Sequence, residues 1–88
     1  MTFLEIDLEK LEYNYHSLRN RLSPNTKMIC VVKANAYGAI FGPISEKLVE
    51  LGTEALAVAY TEEGIQLRKL GITVPVLVFY PQEERFKD

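Results

Sequence analysis

Three strand-sized apolar runs constrain this chain more than any other feature. They are Met28-Ile29-Cys30-Val31-Val32, Ala55-Leu56-Ala57-Val58-Ala59-Tyr60 and Val74-Pro75-Val76-Leu77-Val78-Phe79. None alternates polar with apolar residues, so each reads as a strand covered on both faces, as in parallel α/β sheets. Pro75, which cannot donate to a ladder, must lie at the beginning of the third run. Helical spacing separates the runs. Ile44, Leu48 and Leu51 form one stripe, Pro43 suits the first turn and Gly52 marks the stop. Thr61 caps a further helix, Glu62 and Glu63 favour its positive end, and Gly71 terminates it. Gly64 costs that helix about 1 kcal/mol against alanine, which points to close packing there.

Upstream, Phe3-Leu4-Glu5-Ile6 alternates like a short lead strand and Asp7 sits where an N-cap belongs. Leu8, Leu11, Tyr15, Leu18 and Leu22 then recur at amphipathic-helix spacing until Pro24 and Asn25. Helices alternating with apolar strands imply a parallel sheet with right-handed crossovers. The pattern by itself leaves an open doubly wound sheet and a barrel both available. There is no Gly-x-Gly-x-x-Gly turn and no Walker-type loop, which weakens a nucleotide-binding reading.

At 88 residues the chain is a single segment, residues 1–88, one domain or a piece of one. A net charge of −2, with lysines and arginines scattered, gives no electrostatic case for nucleic acid or an anionic membrane. No apolar run approaches the roughly 20 residues of a spanning helix, and the N-terminus lacks the charged and apolar regions of a signal peptide. Cytoplasm is the expected compartment. Cys30 is the only cysteine, which rules out an internal disulfide and suggests no metal site. It reads as a small apolar residue in the sheet.

Lys33 closes the first apolar run and is followed by a loop, Ala34-Asn35-Ala36-Tyr37-Gly38. In α/β barrels functional side chains project from the carboxyl ends of strands. An amine there can form a Schiff base with a carbonyl compound, and partial burial would favour its neutral, nucleophilic form. Residue type and position alone favour a plainer reading, a solvated lysine ending a strand. Tyr37 could donate to a phosphate oxygen or simply cover the strand ends. Gly38 suits a turn, Asn35 a bond within the loop, and His16 a surface or boundary position on the first helix.

The stretch Val31-Val32-Lys33-Ala34-Asn35-Ala36-Tyr37-Gly38 closely resembles the signature of alanine racemases, and that match reverses the balance for Lys33. The likeness extends along the chain through Glu5-Ile6-Asp7-Leu8, Leu56-Ala57-Val58-Ala59, Glu62-Glu63, Leu67-Arg68 and Pro75-Val76-Leu77-Val78. It implies the N-terminal portion of a (β/α)8 barrel, about three βα units, from an enzyme that uses pyridoxal 5'-phosphate (PLP) and interconverts L- and D-alanine for cell-wall peptidoglycan. The family's members are homodimers with a C-terminal β domain. Carried onto this sequence, Lys33 holds PLP as a Schiff base and handles the proton on one face of the substrate α-carbon. Tyr37 binds the cofactor phosphate, Val31 lines the cofactor pocket, and Phe79 is an apolar pocket residue at a strand end. The base for the opposite face is a tyrosine of the partner subunit's C-terminal domain in the family, and Tyr37 is not that residue.

Two departures accompany the likeness. Gly38 is followed by Ala39-Ile40-Phe41 where the family usually continues His-Gly. A complete barrel also takes roughly 250 residues, so the segment alone is expected to be inactive. The competing readings are a related serine or broad-specificity amino-acid racemase, a non-catalytic PLP-binding remnant, and an α/β domain in which Lys33 is incidental.

Overall fold

The structure, a computed structural model, describes residues 3–33 and 40–81. Its elements run α1 (Phe3–Arg21), β1 (Ile29–Val31), α2 (Phe41–Leu51), β2 (Ala55–Tyr60), α3 (Thr61–Lys69) and β3 (Val76–Tyr80). The strands form one parallel sheet in the order β1-β2-β3, with Cys30, Leu56 and Val76 in one cross-sheet row and Val31, Ala57 and Leu77 in the next. The expected α/β architecture is present, and the barrel is not closed.

The lead strand expected at residues 3–6 is absent, because α1 already begins at Phe3 and Asp7 lies inside it. Four alternating residues carry little register information. Leu4, Leu8, Leu11 and Tyr15 extend the spacing of three and four upstream, so the longer helical period wins. The stripe is also shorter at its far end than expected. Tyr15 is buried and Leu11 packs on the core, but Leu18 and Leu22 are exposed.

Two anchors fix the entry to the sheet. The Met28 N–H donates to Glu54 Oε2 at 2.7 Å, and Arg19 approaches the same carboxylate at 3.7 Å. The Met28 bond, aided by Arg19, holds the Glu54 carboxyl below its ordinary range. Thr53, buried beside it, places its hydroxyl 3.2 Å from the Met28 carbonyl oxygen and 3.0 Å from that of Ala55. The start of β1 is therefore tied to the start of β2 before the ladder begins.

Helix α2 ends as expected at Gly52, whose φ of 104° is the left-handed conformation an L-residue avoids. Its N–H and that of Thr53 close onto the Val49 and Leu48 carbonyls. Helix α3 is capped differently from the expectation. Tyr60, not Thr61, occupies the N-cap, and Glu63 Oε1 accepts the N–H groups of Tyr60 (2.8 Å) and Ala59 (3.0 Å). The glutamate in the first turn thus does the capping from within the helix. At the other end Arg68 donates to the carbonyls of Ile72 and Val74, shaping the turn into β3. Pro75 directly precedes that strand, and its carbonyl accepts the Leu56 N–H at 3.0 Å.

The core lies between the helices and one face of the sheet. Val32, Leu56, Val58 and Leu67 are buried there with Tyr15, Phe41, Leu48 and Ile72. Gly64 of α3 sits over this face. A Cβ on it would meet Val58, Val76 and Val78 side chains at 3.7–3.9 Å, ordinary contact distance, so the helix approaches the sheet closely but leaves room for a methyl group.

Candidate functional site

Burial alternates along β1 and beyond it. Ile29 and Val31 are exposed, Cys30 is half-buried, Val32 is buried and Lys33 is exposed. The ladder continues past the strand, since the Val32 N–H donates to the Ala57 carbonyl at 2.9 Å. Strand periodicity therefore puts Lys33 on the face that Ile29 and Val31 share, at the carboxyl end of β1. Among the described residues no helix covers that face. Ile29, Val31, Leu77 and Phe79 are between 49% and 57% exposed. The expectation of strands covered on both faces is met on the helix side only.

Val31 and Phe79 thus share one apolar face with Lys33. They stand on strands that flank β2, roughly 9.5 Å apart by two inter-strand spacings. Between them the middle strand presents only small residues. Ala57 pairs with Val31 on one side and Leu77 on the other, and it is buried. The result is a shallow apolar trough with taller walls on β1 and β3. Leu77 was not singled out from the sequence, although its two-residue offset from Phe79 is the signal that assigns it to this face.

Lys33 is exposed in this segment, so the partial burial expected for it is not supplied by the described residues. Tyr37, Asn35 and Gly38 lie outside the described residues. Ala39, the first of the two residues that stand in place of the family's usual His-Gly, also lies outside the described residues, and the second, Ile40, stands at the N-cap of α2. His16 is exposed, with its ring edge-on to Tyr15 at 5.8 Å. Cys30 is on the helix side, with its sulfur 3.3 Å from the Thr53 hydroxyl. Among the described residues no group of three or more His, Cys, Asp or Glu side chains could hold a metal, and no helix is long and apolar enough to cross a membrane.

The donor set fits a carbonyl cofactor. An accessible primary amine stands at the edge of an apolar trough that could take the face of a flat ring, and imine chemistry requires such an amine. Among the described residues, one shallow surface depression is formed by Glu9, Lys10, Tyr13 and Asn14 on α1. Another lies between α3 and the helix-facing side chains of Val76 and Val78 on β3. Neither includes Lys33 or a residue of the open face.

Comparison with known proteins gives one consistent result. The family model described as "Alanine racemase, N-terminal domain" matches residues 6–88. Alanine racemase of Citrifermentans bemidjiense is 47% identical over 87 residues, which is 96% of this chain and 23% of that protein. The Halothermothrix orenii enzyme of the same name is 47% identical over 77 residues, covering 88% of this chain and 20% of its own length. Among solved structures, alanine racemase from Bacillus anthracis with bound L-Ala-P superposes with a TM-score of 0.77 at 35% identity, covering 89% of this chain and 20% of that one. The chain therefore spans about a fifth to a quarter of the length of the curated relatives it matches.

Proposed function

The chain belongs to the alanine racemase N-terminal domain family, and from that premise we propose that the complete protein is a PLP-dependent racemase of alanine with Lys33 as its cofactor lysine. One observation supports the reading most directly. Exposure alternates through residues 29 to 33, which brings the Lys33 amine to the carboxyl end of β1 on the open apolar face. Active sites of barrel enzymes are built at that end of the strands.

When bound, PLP supplies the electron sink that makes the α-proton of an amino acid removable. The chain's own residues have separate tasks. Lys33 is the residue that attaches the cofactor. Its Nζ would also take or return the proton at one face of the substrate α-carbon. Val31, two residues earlier on the same face, and Phe79, across the trough, offer apolar surface beside that amine. Tyr37 is assigned to the cofactor phosphate. Racemisation needs a second proton-handling group on the opposite face, which the family takes from a partner subunit. The complete protein is accordingly read as a homodimer that works in the cytoplasm and supplies D-alanine for peptidoglycan.

The test is solvent exchange. The complete protein, loaded with PLP in D2O, should incorporate deuterium at the α-carbon of alanine and lose optical rotation from either enantiomer, and Lys33→Ala should abolish both. Exchange with serine in preference to alanine would instead favour a related racemase. Absence of any exchange with Lys33 intact would contradict the reading.

A further inference from the structure

The parallel ladder between β1 and β2 runs up to Lys33, and a side chain from α3 takes the donor that would carry it further. Ile29, Cys30 and Val31 pair with Ala55, Leu56 and Ala57, and the Val32 N–H donates to the Ala57 carbonyl. Continuing that register sets Lys33 opposite Ala59, one inter-strand spacing away, about 4.8 Å. In the even alternation of a parallel ladder the next donor is the Ala59 N–H, aimed at the Val32 carbonyl. Here that N–H donates to Glu63 Oε1 at 3.0 Å. The same oxygen accepts the Tyr60 N–H at 2.8 Å.

A helix cap needs only one of these bonds. The reciprocal contact of a capping box runs from the third helical residue to the N–H of the N-cap, which is Tyr60. The Ala59 bond lies upstream of that position, within β2, and it fixes the strand residue level with the lysine. A further contact carries the hold across the trough. Tyr60 is in register with Tyr80, and their rings stand 5.9 Å apart at the carboxyl ends of β2 and β3. Both tyrosines are more than half exposed, so core packing does not impose this pairing. Tyr80 directly follows Phe79, the far wall of the trough.

We propose that Glu63 is a positioning residue for Lys33: by taking the Ala59 and Tyr60 N–H groups it ends the β1–β2 ladder at the level of the lysine and holds the strand end beside it. The lysine then leaves the sheet at one defined row, with Ala59 set on the trough floor at its side. An amine whose flank is fixed in advance has less order to gain when it meets a carbonyl group. Without the carboxylate the Ala59 N–H returns to the ladder or to water, and the row at which β1 leaves the sheet is no longer single. A glutamate that served only as a cap would change stability and leave the reactivity of Lys33 in folded molecules as it was. The inference rests on the proposed function, since it names a residue that acts through Lys33.

Three variants of the complete protein, Glu63→Ala, Glu63→Gln and Leu67→Ala, test it. Leu67 lies in the same helix and is fully buried in the core. Amide hydrogen exchange reports the bond at Ala59, and borohydride trapping with peptide mapping reports the rate at which PLP labels Lys33. Both are read where circular dichroism shows each variant folded. Glu63→Ala is expected to speed exchange at Ala59 and to slow labelling of Lys33 about tenfold, the scale of a small misplacement at a reacting group. Glu63→Gln, which keeps an acceptor oxygen, should restore most of the labelling rate, and Leu67→Ala should lower the melting temperature with that rate unchanged. Faster exchange at Ala59 with wild-type labelling in Glu63→Ala would overturn the inference and leave the proposed function standing. So would a Glu63→Gln variant as slow as Glu63→Ala, because charge and not the ladder would then be the cause. If Glu63→Ala does not fold, Glu63→Asp, one methylene shorter, takes its place under the same criteria. Failure of the wild-type protein to label at Lys33 would overturn the proposed function and this inference with it.

Discussion

On the helix side of the sheet Leu56 and Val58 are fully buried and Val76 and Val78 pack against them, while on the other side Ile29, Val31, Leu77 and Phe79 stand about half exposed. Both faces draw on the same apolar residue types, and adjacent cross-sheet rows show the contrast directly. Cys30, Leu56 and Val76 face the helices, and Val31, Ala57 and Leu77 face away from them. The helix side is a self-sufficient core within these residues. The open side is apolar without being filled, and it carries the one lysine that ends a strand. Stability and chemistry are thus divided between the faces of a single three-stranded sheet.

The sharpest way to break that division is to truncate one side chain on each face of the 88-residue chain and compare urea unfolding. Leu56→Ala, which empties a fully buried site, is expected to cost about 2–5 kcal/mol. Leu77→Ala on the open face should cost less, about 1 kcal/mol, because half of its side chain stays in water and no enclosed cavity is left behind. Equal costs would mean that the open face is packed in solution.

A second comparison sets two glycines against each other. Gly52 closes α2 with a φ of 104°, so Gly52→Ala should destabilise by about 1–2 kcal/mol through left-handed strain. Gly64 has no such angle and has space for a methyl group. Gly64→Ala should therefore stabilise by about 0.4–1 kcal/mol through a less flexible unfolded chain. Thermal melts of the pair check both signs, and a destabilising Gly64→Ala would show that α3 sits closer to the sheet than 3.7 Å contacts allow.

The smallest expected effect is a pH dependence. The Met28 N–H lowers the Glu54 carboxyl in the folded chain. Its contribution to stability is therefore present above the unfolded carboxyl range near about 4.3 and lost as pH falls through the lower folded value. Glu54→Gln should flatten the acid limb of the stability profile without shifting the neutral plateau's slope. An unchanged acid limb would remove Glu54 as its source.

The sequence was most legible where one signal had no competitor. Residues 55–60 form a wholly apolar run between Gly52 and Thr61, and β2 occupies that run from end to end. The same holds for Gly52 and Gly71, whose positive φ angles end α2 and the α3 turn. It misled where two periods fitted equally, as at residues 3–6. It also misled at the start of α3, where Tyr60 holds the N-cap position and Glu63 accepts its N–H from the third helical position.

Faces were harder to read than elements. A continuous apolar run says that both sides of a strand are apolar, but not which side these residues themselves cover. Only the placement of α1, α2 and α3 on one side separates Val32 from Val31 and so gives Lys33 its face. That Val32 and Phe41 join one buried cluster was not legible at all, because nothing in residue type distinguishes one apolar residue that enters the core from another that does not.

The account turns on Lys33 being the cofactor amine, and covalent trapping tests that directly. The complete protein would be incubated with PLP, reduced with borohydride and mapped by peptide mass spectrometry, with Lys33→Ala as the control. The account predicts a label concentrated on Lys33, lost in the variant while the fold is retained. A label spread evenly over Lys10, Lys27, Lys47, Lys69 and Lys87, or unchanged in Lys33→Ala, would contradict it.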